Sequence, residues 1–289
     1  MFENFTISFI GAGAMGEAII HGLLNGEMVA PGQILAAEPR EERRQELEAQ
    51  YGIRCTGDNV LAAREADVLI LAIKPQVFPD VTEELYGDVP PEALVLSIMA
   101  GVQIRQIVSG LGIRRVVRAM PNTPARIGKG ISVWTATREV PEAQVQQAQA
   151  ILSALGEDVY VEHEDYLDMA TALSGTGPAY VFLFMEAMID AGVHLGFSRW
   201  VAQKLVYQTV LGSVEYALAA GEHPAHMRNQ VTSPGGTSAE ALYHLEKGGM
   251  RTVISRAIWA AYRRSVALGS GGKVSRLGGR DPEDLGEGR

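Results

Sequence analysis

The chain has 289 residues, enough to bury one or two sizeable cores. Its formal net charge of −9 argues against nucleic acids and anionic membranes as partners. A single cysteine, Cys55, precludes an internal disulfide and fits a reducing, cytoplasmic location. The N-terminal residues show no basic segment or cleavage site, so no signal peptide is expected. The most apolar helical candidate, residues 179–195, carries Glu186 and Asp190 and is expected to be too short and too charged to span a bilayer.

A glycine-rich turn follows the first predicted strand. Residues 6–10 (TISFI) favour a strand, residues 17–24 (EAIIHGLL) have helical spacing, and residues 11–16 (GAGAMG) join them. In this context the first glycine permits the turn, the second lets a pyrophosphate approach the backbone, and the third lets helix and strand pack closely. The helix N-terminus offers free N–H groups to the phosphates. The sequence therefore predicts a dinucleotide site, and the alternative is a structural glycine turn in another α/β protein.

An acidic residue ends the second predicted strand, residues 33–37. Glu38 lies 22 residues after Gly16, where an acid usually accepts hydrogen bonds from the adenosine ribose hydroxyls. The alternative is an ordinary exposed glutamate beside Pro39.

Three arginines follow that acid. Arg40, Arg43 and Arg44 could bind a 2′-phosphate, or they could form the solvated face of a helix over residues 40–51. A carboxylate about 4 Å from a phosphate charge costs about 4 kcal/mol at a surface-like dielectric, and an arginine at similar range could offset that cost. Glu38 favours acceptance of NADH, while NADPH stays open.

The rest of the first half reads as further strands of one sheet. Strands are predicted at residues 68–73, 94–98 and 116–120, with later, edge-type strands at 131–136 and 158–161 and a helix at 141–155. Ligands of open α/β sheets lie outside the carboxyl ends of the strands. The candidate segments are therefore residues 11–16, Glu38, 72–75, 99–101 and 121–123.

The pattern changes to helical spacing near residues 163–165. We therefore predict three parts: a dinucleotide-binding domain at residues 1–163, a helical domain at 164–269, and a disordered, glycine-rich and charged tail at 270–289. Helices are predicted at residues 178–196, 200–220, 237–247 and 250–268. Several are apolar around much of their circumference, which predicts a homo-oligomer built through them. The alternative is that they pack only on each other.

Two loops of small hydroxyl residues and glycines precede predicted helices. They are residues 174–180 (SGTGPAY) and 232–238 (TSPGGTS), and such helix N-termini suit a small carboxylate or phosphate. The alternative is N-capping by Ser174 or by Thr237 and Ser238. Together with the dinucleotide turn, they predict a substrate pocket facing the nicotinamide between the domains. His223 and His226 have metal-like separation but are predicted to lie in a surface loop, and no metal site is expected.

These ordered motifs closely resemble those of the Δ1-pyrroline-5-carboxylate reductases. The resemblance covers about residues 6–268 and rests on FIGAGAMG, AIKP, MAG, MPNTP, SGTGPAY and SPGGTS. It implies an α/β fold: an N-terminal Rossmann-type doubly wound sheet followed by an all-α dimerisation domain. It also implies reduction of the C=N bond of 1-pyrroline-5-carboxylate to L-proline with NADPH or NADH, the last step of proline biosynthesis. The family forms dimers, often assembled into decamers.

The resemblance further implies roles for particular residues. Those expected around the cofactor are Gly11, Ala12, Gly13, Ala14, Met15, Gly16, Glu38, Asn59, Ala72, Lys74, Pro75, Ala100 and Asn122. Those expected around the substrate are Glu164, Ser233, Gly235, Gly236, Thr237 and Ser238, and Ser238 is the catalytic candidate because its hydroxyl would orient the ring nitrogen. The family usually has threonine at Ser238, so this chain keeps the hydroxyl but loses the stiffness of a β-branched side chain. Gln230 replaces an asparagine that touches the cofactor in some members and is not included.

Two other functions fit part of the pattern. A 3-hydroxyacid dehydrogenase of the same layout would need a general base, usually a lysine, at the start of a helix in the second domain, where this chain has SGTGPAY. A non-catalytic redox sensor would bind the dinucleotide and a partner, and the hydroxyl-glycine loops would then be helix caps.

Overall fold

A computed structural model describes Phe2 and residues 5–269. The predicted tail at residues 270–289 lies outside the described residues. Two compact units are present in the described residues: the first contains residues up to Thr176 together with residues 260–269, and the second is Gly177–Trp259. The short helix Tyr166–Ala170 packs on the sheet of the first unit, so this division falls later in the chain than the predicted boundary near residue 163.

The first unit is built on a mostly parallel sheet with strand order β3-β2-β1-β4-β5-β6-β7-β8 in the described residues. The strands are β1 (Ile7–Ile10), β2 (Ile34–Ala37), β3 (Arg54–Thr56), β4 (Val68–Leu71), β5 (Leu94–Ser97), β6 (Val116–Met120), β7 (Gly130–Ala136) and β8 (Gly156–Tyr160). All neighbours pair in parallel except β6 and β7.

The helices cover the sheet in the first unit and make up the second. They are α1 (Ala14–Asn25), α2 (Glu41–Tyr51), α3 (Asn59–Arg64), α4 (Phe78–Leu85), α5 (Ile104–Leu111), α6 (Glu142–Ser153), α7 (Tyr166–Ala170), α8 (Gly177–His194), α9 (Arg199–Ala220), α10 (Pro224–Gln230), α11 (Thr237–Lys247) and α12 (Met250–Gly269). The predicted fold class, a Rossmann-type sheet followed by helices, is confirmed.

The central strands are apolar on both faces because helices cover both. Phe9 and Ile70 belong to one buried cluster, while their chain neighbours Ile10 and Leu71 belong to another. Successive side chains of a strand point to opposite faces, so the two clusters lie on the two sides of the sheet. This explains why β1, β2, β4 and β5 are buried at every position.

The strand register brings the functional turns to one edge. Ile10 pairs with both Ala37 and Leu71, Leu71 pairs with Ser97, and Ser97 pairs with Arg118. The carboxyl ends of β1, β2, β4, β5 and β6 therefore lie in a row, and the segments that follow them share that edge.

Two local predictions are wrong. The segment at His223 and His226 is not a plain loop: His223 precedes α10, and its Nδ1 accepts a hydrogen bond from the Ala225 N–H. The apolar helix is also longer than predicted. The helical run Tyr166–His194 has 29 residues with a mean hydropathy of 1.2 in its most apolar window, so by length and composition alone it could cross a membrane. A single helix of this length and hydropathy does not establish a membrane span, because the core helices of soluble proteins have the same properties.

The second unit exposes large apolar side chains. Ile189, Ala202 and Val206 form its small buried cluster between α8 and α9. Other large side chains on its helices are more than half exposed, among them Phe182, Leu183, Trp200, Leu218 and Val253. An exposed apolar surface of this extent marks an interaction face.

Gly156 tests the packing of the sheet edge. Its φ is +132°, and a Cβ there would overlap the carbonyl oxygen of its register partner Gly130. We expect Gly156→Ala to lower the free energy of unfolding by about 3 kcal/mol, because backbone strain and overpacking each cost about 1–3 kcal/mol. Gly32→Ala is the control: a Cβ there meets nothing within 4 Å, and a change within about 0.5 kcal/mol is expected. Equal urea midpoints for both variants would contradict this description.

Candidate functional site

The turn after β1 is fixed between the ends of two neighbouring strands. The Gly11 N–H donates to the Ala37 carbonyl at 2.9 Å, and the Ala72 N–H donates to the Ile10 carbonyl at 3.0 Å. The turn is therefore attached to β2 on one side and β4 on the other, and α1 starts directly above the sheet edge.

Side chains are excluded at two of the three glycines in this turn. Gly11 has φ of +88°, and a Cβ there would lie 2.8 Å from Ile73 Cγ2. A Cβ on Gly16 would lie 2.7 Å from the Gly11 carbonyl oxygen and 3.3 Å from Ala72 Cβ. Both glycines are thus required for the close approach of α1 to the strand ends.

The middle glycine has a different surrounding. A Cβ on Gly13 would meet nothing within 4 Å, so the space above it is open. Gly13 is the N-cap of α1 and provides no side-chain hydrogen bond to the first turn. Open space beside uncapped N–H groups is the cradle that a pyrophosphate requires, and these residues fit a dinucleotide.

Glu38 is a buried carboxylate at the end of β2. The residue is 5% exposed, and its backbone N–H donates to the Thr56 carbonyl at 3.0 Å. Arg40 donates to its Oε1 from Nε at 2.9 Å and from the backbone N–H at 3.4 Å. The alternative of an ordinary exposed glutamate is therefore wrong, because strand pairing with β3 draws Glu38 into the sheet edge.

The other two arginines already have partners. Arg43 donates to Glu17 and Glu46, and these hydrogen bonds raise its pKa. Arg44 donates from Nη1 to the Glu38 and Pro39 carbonyls at 2.8 and 3.0 Å. Both guanidinium groups therefore fix the start of α2, and Arg40 is the most exposed of the three, with a side chain 66% exposed.

Four more predicted cofactor residues follow strands of the same sheet. Lys74 and Pro75 begin a short 3₁₀ turn after β4, and Ala100 follows β5. Asn59 opens α3 after β3, and its Nδ2 donates to Glu84 Oε2 at 2.8 Å. The sheet thus brings these residues to the carboxyl edge that the glycine turn occupies.

Asn122 fixes the turn after β6. Its Oδ1 accepts from the Ile131 N–H at 3.0 Å, and its Nδ2 donates to the Ser174 carbonyl at 3.2 Å. A Cβ on the neighbouring Gly175 would lie 2.8 Å from Met120 Cε. The predicted hydroxyl-glycine segment at residue 174 is therefore packed on the end of β6 in the first unit.

That segment is not a helix cap, as the alternative interpretation held. Thr171–Gly175 form a π-helical turn, in which the Ser174 hydroxyl donates to the Ala170 carbonyl at 3.0 Å. Thr176 donates in the same way to the Thr171 carbonyl at 2.8 Å. The Thr171 carbonyl also accepts from the Thr176 backbone N–H at 2.8 Å, the i+5 hydrogen bond of a π-turn. Single π-turns of this kind occur often at functional sites.

A buried arginine that the sequence interpretation did not single out organises the neighbouring acids. Arg118 on β6 is 2% exposed, and its Nη1 donates to Glu164 Oε1 at 2.7 Å. The same oxygen accepts from the Ile104 N–H at 2.7 Å. Arg118 Nη2 lies 3.7 Å from Asp168 Oδ1, which accepts from the Ser265 hydroxyl at 2.6 Å. A charged residue inside the apolar run VVRAM was the available signal.

The last turns of α12 join this cluster to the loop after β5. Besides the Ser265 contact, a Cβ on Gly101 would lie 2.9 Å from Leu268 Cβ. Burial, with the Asp168 and Asp165 carboxylates nearby, raises the pKa of Tyr262 on the same helix. The end of α12 therefore packs against the loop that carries Ala100, and Glu164 binds the first residue of α5, just after that loop.

In the second unit, the SPGGTS segment leads into α11. Gly235 has φ of +71°, and the Gly236 N–H donates to the Ser233 carbonyl at 3.0 Å. The N-cap of α11 is Gly236, with no side-chain cap hydrogen bond. The capping role considered for Thr237 and Ser238 is therefore wrong, and the first N–H groups of α11 lack a side-chain cap.

The predicted substrate residues belong to different units. Glu164 lies in the first, where Arg118 and the Ile104 N–H hold it. The other five lie in the second: Ser233, Gly235, Gly236, Thr237 and Ser238. Their assignment to the substrate stays a prediction.

Cys55 on β3 behaves as a packing residue. It packs partly buried against the core, and burial raises the pKa of its thiol to about 11. Since the thiolate is the nucleophilic form, this thiol is a poor nucleophile at neutral pH.

The parallel sheet and its glycine cradle define a Rossmann-type dinucleotide-binding protein. A family model described as pyrroline-5-carboxylate reductase dimerisation matches residues 164–268, and one described as NADP oxidoreductase, coenzyme F420-dependent, matches residues 6–101.

Relatives along the whole chain give the particular family. Pyrroline-5-carboxylate reductases of Synechocystis and Pseudomonas aeruginosa are 44% and 41% identical, over 92% and 91% of this chain and 99% and 96% of their own. The crystal structure of the Plasmodium falciparum pyrroline carboxylate reductase with NADP bound has a TM-score of 0.86 at 31% identity, covering 93% of this chain and 100% of that one. The chain belongs to the pyrroline-5-carboxylate reductase family, which confirms the resemblance seen in its motifs.

Substitutions at two glycines of the cradle should separate an effect on cofactor binding from an effect on stability. We expect Gly13→Ala to leave the urea midpoint unchanged, because its Cβ meets nothing, and to weaken cofactor binding at least tenfold, because the methyl group occupies the open space. Gly16→Ala should lower the midpoint instead, because its Cβ would press on the Gly11 carbonyl. Calorimetric titration with NADPH or NADH measures the binding. Unimpaired binding by Gly13→Ala would show that the cradle is not the pyrophosphate site.

The Arg118 cluster predicts a large cost for losing one charge. Arg118→Met leaves Glu164 and Asp168 without their cation, and breaking a buried ion pair typically costs about 3–5 kcal/mol in the free energy of unfolding. The control is Arg115→Met, whose partner Glu92 has a side chain 79% exposed, so less than about 1 kcal/mol is expected. Denaturant unfolding of both variants checks this, and similar losses would mean that the buried cluster contributes no more than a surface pair.

Proposed function

We propose that this chain reduces the C=N bond of 1-pyrroline-5-carboxylate with NADPH or NADH to give L-proline, the last step of proline biosynthesis. The proposal rests on where two motifs lie. The glycine cradle at residues 11–16 lies within the match to the NADP oxidoreductase model, residues 6–101, and the SPGGTS segment lies within the match to the dimerisation model, residues 164–268. Full-length relatives named for this activity support it. The chain is accordingly an oxidoreductase acting on a CH–NH bond.

The first unit would hold the cofactor. The N-terminus of α1 would bind the pyrophosphate over Gly13, and Glu38 would accept from the adenosine ribose. The residues after β3, β4, β5 and β6 would complete the site: Asn59, Ala72, Lys74, Pro75, Ala100 and Asn122. When bound, a reduced nicotinamide supplies the hydride for the imine carbon.

The segment before α11 would hold the substrate. Backbone N–H groups at Gly235 and Thr237 suit a carboxylate, because a helix N-terminus without a side-chain cap attracts anions. Among the described residues, the Ser238 hydroxyl makes no hydrogen bond, so it is free to accept from a protonated ring nitrogen. Because substrate protonation makes the carbon electrophilic, no strong side-chain acid is required.

Glu164 would act beside the substrate as an oriented carboxylate. Its Oε1 accepts hydrogen bonds from Arg118 and from the Ile104 N–H, which fix the orientation of the side chain. The side chain is 27% exposed. We assign Arg118 as the residue that positions it.

The chain self-associates through its helical domain. The dimerisation family model covers residues 164–268, and the exposed apolar side chains of α8, α9 and α12 match that function. We propose a dimer that assembles further into a decamer and works in the cytoplasm, with no nucleic acid or membrane partner.

Ser238 provides the sharpest test of the mechanism. If its hydroxyl orients the reacting C=N bond, Ser238→Ala should reduce kcat/KM about 10²-fold, as for an oriented transition-state hydrogen-bonding group. Ser238→Thr, which keeps the hydroxyl, should stay within a few-fold of the parent. The assay adds pyrroline-5-carboxylate and NADH or NADPH and follows absorbance of the reduced nicotinamide. Unchanged turnover by Ser238→Ala would remove its catalytic role, and no oxidation by the parent enzyme would refute the proposed function.

A further inference from the structure

The Glu38–Arg40 pair leaves half of each partner available. Both donors of Arg40, Nε and the backbone N–H, converge on Glu38 Oε1. Among the described residues no hydrogen bond reaches Glu38 Oε2, and the terminal nitrogens of Arg40 make none either. The pair therefore presents one free carboxylate oxygen and one free face of a guanidinium at the same point of the chain.

The two partners differ in solvent exposure. The Glu38 side chain is 6% exposed, and its backbone N–H is fixed to Thr56. The Arg40 side chain is 66% exposed and is held through a single side-chain nitrogen. Arg40 can therefore leave Glu38 by rotating into solvent, while Glu38 must stay.

The two neighbouring arginines, Arg43 and Arg44, already have partners that hold them in place. Arg43 is balanced by Glu17 and Glu46. Arg44 has its Nη1 on the carbonyls of Glu38 and Pro39, and a Cβ on Gly57 would lie 3.3 Å from that nitrogen. Arg44 thus adds an immobile positive charge beside Glu38, and Arg40 is the cation of this group that can move onto a new anion.

We propose that Arg40 exchanges the Glu38 carboxylate for the 2′-phosphate of NADPH, so that this chain binds both cofactors through one pair. With NADH, Arg40 stays on Oε1 and Glu38 Oε2 accepts from a ribose hydroxyl. With NADPH, the guanidinium moves onto the phosphate, and the fixed charge of Arg44 offsets the repulsion by Glu38. Arginine suits this exchange because its forked donors bind phosphate and carboxylate oxygens with the same geometry. The inference rests on the proposed dinucleotide site.

Direct binding tests the exchange without any turnover. Calorimetric titration of the full chain would use NADH, NADPH, and the fragments 5′-ADP and 2′,5′-ADP. We expect the parent to bind NADH and NADPH within tenfold of each other. Arg40→Gln should weaken NADPH and 2′,5′-ADP at least tenfold and leave NADH and 5′-ADP within twofold. Glu38→Gln should weaken NADH about tenfold and leave NADPH unchanged or tighter.

Arg43→Gln is the matched control on the same helix and should change the NADPH to NADH affinity ratio less than twofold. The proposal is overturned if Arg40→Gln weakens both cofactors equally, if Arg43→Gln produces the selective loss instead, or if the parent binds one cofactor more than tenfold tighter than the other. A chain that binds both as predicted but does not reduce pyrroline-5-carboxylate would refute the proposed function and leave this inference standing.

Discussion

The close approach of α1 to the ends of β1 and β4 is the constraint on which the candidate site depends. No side chain fits at Gly11 or Gly16, since each Cβ would lie under 3 Å from its nearest neighbour. This contact places the N-terminus of α1 over the sheet edge, where the register of the parallel strands has already aligned the turns carrying Glu38, Ala72 and Ala100. The space left open above Gly13 is a consequence of that packing, and the fit to a pyrophosphate follows from it.

A second constraint acts at the far side of the same edge. Arg118 is buried, so its charge must be balanced within the protein, and Glu164 and Asp168 balance it from outside the sheet. Because Glu164 also accepts from Ile104 and Asp168 from Ser265, one guanidinium connects β6 to α5, α7 and α12. A buried ion cluster is a poor source of net stability, but removing one member is costly because it leaves an unpaired buried charge. The cluster fixes the carboxylate of Glu164, a predicted substrate-binding residue, close to the loop that bears Ala100.

The sequence predicted the sheet and the family well, because long apolar runs and glycine turns are local signals. The strand β3 was missed because Arg54–Thr56 is short and partly exposed, so it lacks an apolar pattern. The capping role considered for Ser174 failed because a π-turn is set by packing on Met120 and Asn122, which no local rule encodes. Arg118 was missed for a similar reason: its partners lie 46 and 50 positions further along the chain. The pairing of Arg43 with Glu17, which lies on another helix, could likewise not be read from the local sequence.

An acidic protein can bind an anionic cofactor because the long-range repulsion between them is screened, while the attractive contacts act at short range. A net charge of −9 repels a dinucleotide at long distance, but that repulsion is screened beyond about 8–10 Å at physiological ionic strength. Within that range a bound cofactor would meet the uncapped N-terminus of α1, and near α2 it would meet Arg40 and Arg43, whose charges are already balanced by Glu17, Glu38 and Glu46. Such paired cations hold no excess field that would attract other anions, yet a paired arginine with an exposed side chain needs only a change of partner to receive a phosphate. Selectivity for the cofactor therefore comes from the geometry of exchange at short range, and the overall charge of the protein can stay negative.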